Sequence, residues 1–236
     1  MVNMQAIIMA AGFGSRIAEV TNNIPKSFLE INGEKLIERA IRLLRERKIT
    51  DITVITGYKS ELFVELLDAK INFVNNPLYF CTNVLGSFAC GMGHLNENFI
   101  FIHADTIFDE SILDDLISAD HAPIIIPVDF KSCVEEEMKV TTKNGNVQLI
   151  HKSIELELAE GEFIGVAKID KSILQPLKNA VIEELKEKAN HQDYFEAALQ
   201  NLIDKNYPIK CISTENRPWI EIDFPEDFSN AQKMFC

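Results

Sequence analysis

Residues 6–17 read AIIMAAGFGSRI, and how this stretch is understood decides how the rest of the chain is read. An apolar run with the composition of a buried strand breaks into a glycine-rich turn that closes on Ser15 and Arg16. A dinucleotide fingerprint needs G-x-G-x-x-G opening straight into a helix, but Ile17 stands where the third glycine belongs. A phosphate loop of the form G-x-x-x-x-G-K-S/T occurs nowhere in the chain. A cradle for a nucleoside triphosphate fits better. The small residues Ala10, Ala11 and Gly12 let backbone N–H groups approach a base or phosphate, and those from Gly12 to Ser15 can form an anion-binding nest. Arg16 adds a planar fork for the outer phosphates, and Lys26, following Pro25, adds a point charge on the returning loop. A plain structural turn leaves both cations unexplained.

Working outward, residues 5–10 predict a strand and residues 34–48 a helix, with apolar Leu36, Ile37, Ala40, Ile41, Leu43 and Leu44 at helical spacing. DITVIT (51–56) predicts a second strand, followed by a helix over 60–68 and a short strand at 71–75. A helix over 84–95, the strand FIFIHAD (99–105) and a helix over 111–118 continue the alternation. Strand and helix in alternation imply a parallel sheet wound by right-handed crossovers. The second half changes character. Residues 122–130, 138–152 and 162–169 read as strands without intervening helices, with a hairpin turn at NGN (144–146). Helices over 171–188 and 192–205, strands at 209–214 and 219–222, and a helix from Pro225 complete the chain. The expectation is one α/β domain over residues 1–236, a mostly parallel mixed sheet flanked by helices with an added antiparallel portion. Segments 11–16, 57–58 and 103–106 follow strand ends, where open α/β sheets bind ligands.

Composition narrows the function classes. The chain has 236 residues, 47% hydrophobic and 25% charged, with a formal net charge of −13. So acidic a surface repels phosphodiester backbones and argues against a nucleic-acid partner. If the substrate is a triphosphate, its charge must be met by a few placed cations and a divalent metal. No apolar run approaches the roughly 18 residues that cross a bilayer, and no secretion signal is visible, so a cytoplasmic setting is expected. Cys81, Cys90, Cys133, Cys211 and Cys236 are scattered, odd in number and never spaced C-x-x-C, which reads as reduced thiols rather than a disulfide framework or zinc site. Oligomeric state is not legible, and a homodimer is admitted.

AIIMAAGFGSRI followed by IPKSFLEINGEKLIERAI resembles the signature of the sugar-nucleotidyltransferase superfamily, G-x-G-S/T-R with a downstream P-K. The resemblance extends through ITGY (55–58), NNPLYFCTNVLGSFA (75–89), HAD (103–105) and WIEID (219–223), and its late pattern is closest to phosphocholine and 2-aminoethylphosphonate cytidylyltransferases. It implies a Rossmann-like fold related to glycosyltransferase-A domains. It also implies CTP as donor, a small phosphorylated or phosphonylated acceptor, release of pyrophosphate, and a place in capsule, cell-surface polysaccharide or phosphonate synthesis. Ala10, Ala11, Gly12, Gly14, Ser15, Arg16, Asn76 and Asn83 become the nucleotide-binding set, and Arg16, Lys26 and Lys152 the catalytic cations. Asp105 and Asp223 become a Mg²⁺ pair, which Glu221 could join.

Read singly, each of these has a plainer alternative. An aspartate after a strand is often an N-cap, hairpin lysines such as Lys152 and Lys139 are usually solvated, and Asn76 and Asn83 suit a turn and a helix cap. An acceptor amine calls for acidic or aromatic neighbours, for which Asp129, Glu162 and Trp219 are the candidates. Trp219 is equally a core anchor, and Glu135, Glu136 and Glu137 read as a solvated charge run. His94, His103, His121, His151 and His191 form no constellation, and His103 reads as a satisfied core or rim residue. His103 also departs from the phosphocholine branch, where an acidic residue often precedes the alanine. A sugar-1-phosphate nucleotidyltransferase using UTP, dTTP or GTP, and a non-catalytic nucleotide-binding regulatory domain, are the competing readings.

Overall fold

The computed structural model describes residues 4–187 and 192–235. Its centre is β1 (Met4–Ala10), which is buried on both faces as its unbroken apolar run requires. Ile7 and Met9 point into one core, while Ala6, Ile8 and Ala10 point into the other. After α1 (Ala18–Thr21) the chain makes the two-residue strands β2 (Glu30–Ile31) and β3 (Glu34–Lys35), then α2 (Leu36–Glu46), β4 (Asp51–Thr56), α3 (Ser60–Leu66) and β5 (Asn72–Asn75). Helix α4 (Val84–Gly91) leads to β6 (Asn98–His103), β7 (Thr106–Phe108) and α5 (Glu110–Ser118). The second half runs β8 (Ile124–Asp129), β9 (Lys139–Lys143), β10 (Asn146–His151), β11 (Gly161–Phe163) and β12 (Val166–Ile169). It closes with α6 (Leu174–Lys186), α7 (Phe195–Asp204), β13 (Ile209–Ser213), β14 (Trp219–Glu221) and α8 (Pro225–Met234). The end of the helix predicted over 171–188 lies outside the described residues.

Ten strands form one sheet in the order β11-β9-β10-β13-β8-β12-β6-β1-β4-β5. β5, β4, β1 and β6 are parallel, and β12 enters antiparallel beside β6. The predicted α/β architecture, parallel in its first half and mixed in its second, is therefore present. A further β11–β8 pairing joins the outer five strands into a ring. Pro127, which has no N–H to give, stands where β8 leaves β12 and takes up β11. One long strand predicted at 162–169 is instead two, divided at Gly165 with φ +77. The hairpin turn is as expected, Asn144 and Gly145 both holding positive φ.

The order of β4, β1 and β6 places the site. The chain leaves β1 toward β4 on one side and returns to β6 on the other, so a crevice opens at the carboxyl ends of β1 and β6. Helices α4, α6 and α7 cover one face of the sheet, with Phe88, Phe99, Phe101 and Phe195 in contact. α2 and α5 cover the other. A third, smaller core joins α8 to the Ile17 turn through Leu29, Ile107 and Ile222, which anchors the last strand next to the crevice. Among the described residues no helix is long and apolar enough to cross a membrane, and Cys81, Cys90, Cys133 and Cys211 are free.

Candidate active site

The turn after β1 is shaped for close approach. Gly14 has φ +65, and a Cβ there would stand 3.3 Å from Cβ of Lys26, so both its conformation and its neighbour demand glycine. A Cβ on Gly12 would meet no protein atom within 4 Å, leaving its backbone open to the crevice. Gly57, in the ITGY corner, is needed for another reason: a Cβ would lie 2.7 Å from both the Ala11 carbonyl and Tyr79. Tyr58 N–H then donates to that carbonyl at 3.1 Å and holds the corner against the turn. Ala10 and Ala11 are buried, while Ser15 and Arg16 are exposed.

Pro25 delivers Lys26 into the crevice, where Nζ lies 2.6 Å from Asp105 Oδ2 and 2.5 Å from Asp223 Oδ1. Arg16 Nη1 reaches the other oxygen of Asp223 at 3.2 Å, with its guanidinium 5.4 Å from the Phe224 ring centroid. Asp105 follows β6, located by the bond from Ala104 N–H to the Met9 carbonyl. Its own carbonyl accepts from Ile222 N–H at 3.0 Å, and Asp227 Oδ2 accepts from the N–H groups of Asp223 and Phe224. Two carboxylates 118 residues apart in the chain (223 − 105) are thus fixed by backbone contacts rather than by chance of rotamer.

The electrostatics are those of a concentrated anionic site. Burial weakens the Lys26 ammonium, but Asp105, Asp223 and Glu221 outweigh it and hold its pKa above the usual lysine range. Burial also opposes ionisation of Asp105, and Lys26 overrides it, so this carboxyl stays below its ordinary value. Glu221, at the end of β14, is pushed up to about 8 by its enclosure and then by the charges of Asp105 and Asp223. A hard dication fits this set of three carboxyl groups, whose oxygens are the ligands such a cation takes.

A cavity of about 120 Å³ opens beside Asp105, lined by Gly12, Tyr79, Asn83, His103, Tyr194 and Glu221 among others. Lys152 lies near it, with Nζ 4.7 Å from the ring centroid of Tyr194, one of the lining residues. A larger cavity of about 540 Å³ lies at the opposite, amino ends of the strands, lined by Met4, Asn98 and Lys168. None of the predicted site residues faces it, so size does not mark the chemistry.

The other sequence-predicted residues divide. Asn83 caps α4, accepting from Val84 N–H, and lines the cavity. Asn76 is 1% exposed, donates to Thr82 and Ser87, and accepts from Leu78 N–H, so its amide is spent inside the protein rather than offered to a nucleotide. Asp129, Glu162 and Trp219 do come together, but around the ammonium of Lys131 and not on the lining of the cavity beside Asp105. Glu137 is no solvated residue: it joins that cluster at 2.9 Å from Lys131. Lys139 is buried too, donating to the carbonyl of Glu135 at 2.8 Å. His103 is not satisfied, since its Nε2 is buried with no hydrogen-bond partner among the described residues. His191 lies outside the described residues. Tyr79 and Tyr194 went unnoticed in the sequence, where an isolated tyrosine carries no signal of a cleft.

A glycine turn opposed by a lysine and two aspartates at the carboxyl ends of a parallel sheet defines a nucleotide-handling α/β enzyme. Residues 6–198 match the MobA-like NTP transferase domain, and the chain belongs to this nucleotidyltransferase family. It is 28% identical to the CTP:phosphoglutamine cytidylyltransferase of Campylobacter jejuni, over 95% of this chain and 97% of that protein. It is 32% identical to the choline-phosphate cytidylyltransferase of Haemophilus influenzae, over 61% of this chain and 60% of that one. Among solved structures, the CTP:phosphocholine cytidylyltransferase of Streptococcus pneumoniae superposes with a TM-score of 0.82 at 23% identity, covering 100% of both chains. The inositol-1-phosphate CTP transferase of T. maritima gives 0.80 at 22% identity, covering 98% of this chain and 95% of that one. The two structural likenesses bear on the fold.

Proposed function

We propose that this chain is a cytidylyltransferase that transfers CMP from CTP to a small phosphorylated or phosphonylated acceptor bearing an amine or amide, releasing pyrophosphate. The observation that carries the reading is the Lys26 ammonium between Asp105 and Asp223, directly under the Gly12–Arg16 turn. The relatives named for CTP support the choice of donor.

The backbone N–H groups from Gly12 to Ser15 and the Arg16 guanidinium hold the triphosphate. Lys26 offsets charge that grows on the α-phosphate during displacement. Lys152, beside Tyr194, meets the acceptor phosphate and lowers its repulsion from CTP. An acceptor oxygen attacks the α-phosphorus, the bond to the α–β bridging oxygen breaks, and pyrophosphate leaves with that electron pair. The attacking oxygen is already ionised near neutrality, so no general base is required, and positioning and charge provide the catalysis. Asp105 and Asp223 would hold a hard dication, Mg²⁺, which supplies neutralisation of the triphosphate charge. A cytoplasmic setting accords with the free thiols.

The test is pyrophosphate release with CTP, UTP, dTTP, GTP and ATP against phosphocholine, phosphoethanolamine, 2-aminoethylphosphonate and glucose 1-phosphate, with Mg²⁺ and with chelator. Turnover confined to CTP with an amine- or amide-bearing acceptor, and lost on chelation, is the expected result. Turnover with glucose 1-phosphate and another triphosphate, but none with CTP, overturns it.

A further inference from the structure

Two donor groups beside Asp105, His103 and Glu221, take no part in the chemistry above. His103 at the end of β6, Asp105, and Glu221 at the end of β14 bring one imidazole nitrogen and two carboxylate oxygens within 4.8 Å of one another. Lys26 engages Asp105 through Oδ2 and reaches across to Asp223. Among the described residues no such ion pair involves Glu221. The site therefore has two intervals: Asp105–Asp223, spanned by an ammonium, and His103–Asp105–Glu221, spanned by no protein cation.

The imidazole is fixed in this position. His103 is 9% exposed, its backbone N–H donates to the Gly165 carbonyl at 2.9 Å, and its ring meets Phe101 edge-on with centroids 5.1 Å apart. Gly165 packs so tightly that a Cβ would stand 2.8 Å from Nδ1. Yet among the described residues Nε2 is buried with no partner, which is a cost that native interiors rarely leave unanswered. Glu196, on the first turn of α7, is 2% exposed and its Oε2 is likewise buried without a partner. It lies near enough for the imidazole charge to act on it, and burial pushes its carboxyl above the ordinary value. A buried carboxyl within electrostatic reach of an imidazole is the kind of neighbour that sets tautomer and ring orientation behind metal-bound histidines.

We propose that His103, Asp105 and Glu221 form a second cation position, separate from the Asp105–Asp223 interval, that takes a first-row transition dication such as Mn²⁺, with Glu196 as a positioning residue for the imidazole. The donor chemistry carries the choice. Carboxylates alone suit Mg²⁺, whereas a mixed nitrogen and oxygen set favours the borderline transition dications. The three donor atoms lie within 4.8 Å of one another, and three donors about 2.1–2.3 Å from one metal stand roughly 3–4 Å apart, so the side chains need only draw together. All three side chains line the 120 Å³ cavity, which leaves room for a substrate oxygen as a further ligand. The inference rests on Asp105 being a cation-holding carboxylate, as the proposed function requires.

Pulsed electron paramagnetic resonance with Mn²⁺ alone, on untagged protein, tests it. Wild type and Asp223→Asn are expected to show nitrogen modulation from an imidazole ligand, and His103→Gln to lack it. Mn²⁺ affinity should fall at least about 10-fold in His103→Gln, and about 10-fold in Glu196→Gln with the modulation retained. Wild-type Mn²⁺ without nitrogen modulation overturns the proposal, whether or not the variants fold. Modulation that survives in folded His103→Gln overturns it equally. Pyrophosphate release with CTP and Mg²⁺ separates the two readings. If turnover proceeds but the Mn²⁺ spectrum lacks nitrogen, this inference falls and the proposed function stands. Nitrogen modulation without turnover leaves the second cation position and removes the reaction.

Discussion

Two lysines in this molecule are gripped by carboxylates in nearly the same way, but the enclosed one, Lys26, has a partner that lines a cavity, whereas the other, Lys131, sits at the surface. Lys26 contacts Asp105 and Asp223 at 2.6 and 2.5 Å. Lys131 contacts Glu162 and Glu137 at 2.8 and 2.9 Å, with Asp129 at 3.9 Å and the Trp219 ring centroid at 5.4 Å. Around Lys131 the remaining valence is answered from within: Asp129 accepts from Thr214 Oγ1, and Glu137 from Val134 N–H. Around Lys26 it is not. Gly12 is bare toward the crevice, Glu221 makes no ion pair among the described residues, and a cavity opens beside Asp105. A charge cluster that closes on itself is architecture, whereas one that leaves donors and acceptors unanswered is built for something that arrives.

The sharpest way to break the comparison is to remove one charge from each cluster. Asp105→Asn should lower turnover by about 1,000-fold or more while the fold, followed by circular dichroism, stays intact. Near-wild-type rates would remove Asp105 from the metal site. Lys26→Met comes next, with kcat down about 100- to 1,000-fold, the loss expected for one electrostatic contact made in the transition state. Its counterpart, Lys131→Met, should keep turnover near wild type and lose stability instead. A large drop in kcat for Lys131→Met would abolish the distinction between the clusters.

The same contrast explains what could be read from the chain. Asp105 ends an apolar strand run and Arg16 follows a glycine turn, so their positions at the crevice were legible in local pattern. Asp223 likewise ends a β-rich run, WIEID, but its pairing with Asp105 was legible only through the family resemblance. The Lys131 cluster left no comparable trace. Its lysine stands in the polar stretch FKSC, and its partners come from positions 129, 137, 162 and 219, which only the β8–β11 pairing and the return of β14 bring together. Asp129, Glu162 and Trp219 were therefore recognised as residues fit for a cation, but the cation is the chain's own. Strands β2, β3 and β7 are two or three residues long, too short to show a period of two. Gly165 divides a run that reads as one strand, because positive φ is invisible in an apolar sequence.

Asn76 extends the contrast to an uncharged group. Its amide is fully engaged by Thr82, Ser87 and Leu78, which ties the loop before α4 to the helix. Asn76→Ala leaves the buried Ser87 hydroxyl without that partner, at about 1–3 kcal/mol. Denaturant unfolding should register that loss, while KM for CTP stays unchanged. A raised KM at unaltered stability would return Asn76 to the nucleotide site. Asn83 is the useful partner in that experiment, because the residue that caps α4 also lines the cavity.

The smallest expected effect lies in the pH dependence of the Lys131 cluster. Burial pushes Glu162 up to about 8, Lys131 pulls it down, and the charge of Glu137 raises it again. Its folded pKa therefore exceeds the ordinary glutamate value near 4.5. A carboxyl raised in this way contributes most to stability when protonated in both states, at low pH. That contribution fades as pH rises from about 4.5 through about 8, because the unfolded chain loses its proton first. Wild type should accordingly melt lower at pH 9 than at pH 5.5, and Glu162→Gln, which keeps the shape but cannot ionise, should remove part of that slope. The difference between the two profiles is expected at about 2–4 °C, the change in Tm that accompanies roughly 1 kcal/mol in a chain of this size. Calorimetry of both proteins across that range decides the matter. Parallel profiles would mean that Lys131 compensates Glu162 fully, and the self-closed cluster would then be tighter than its pKa allows.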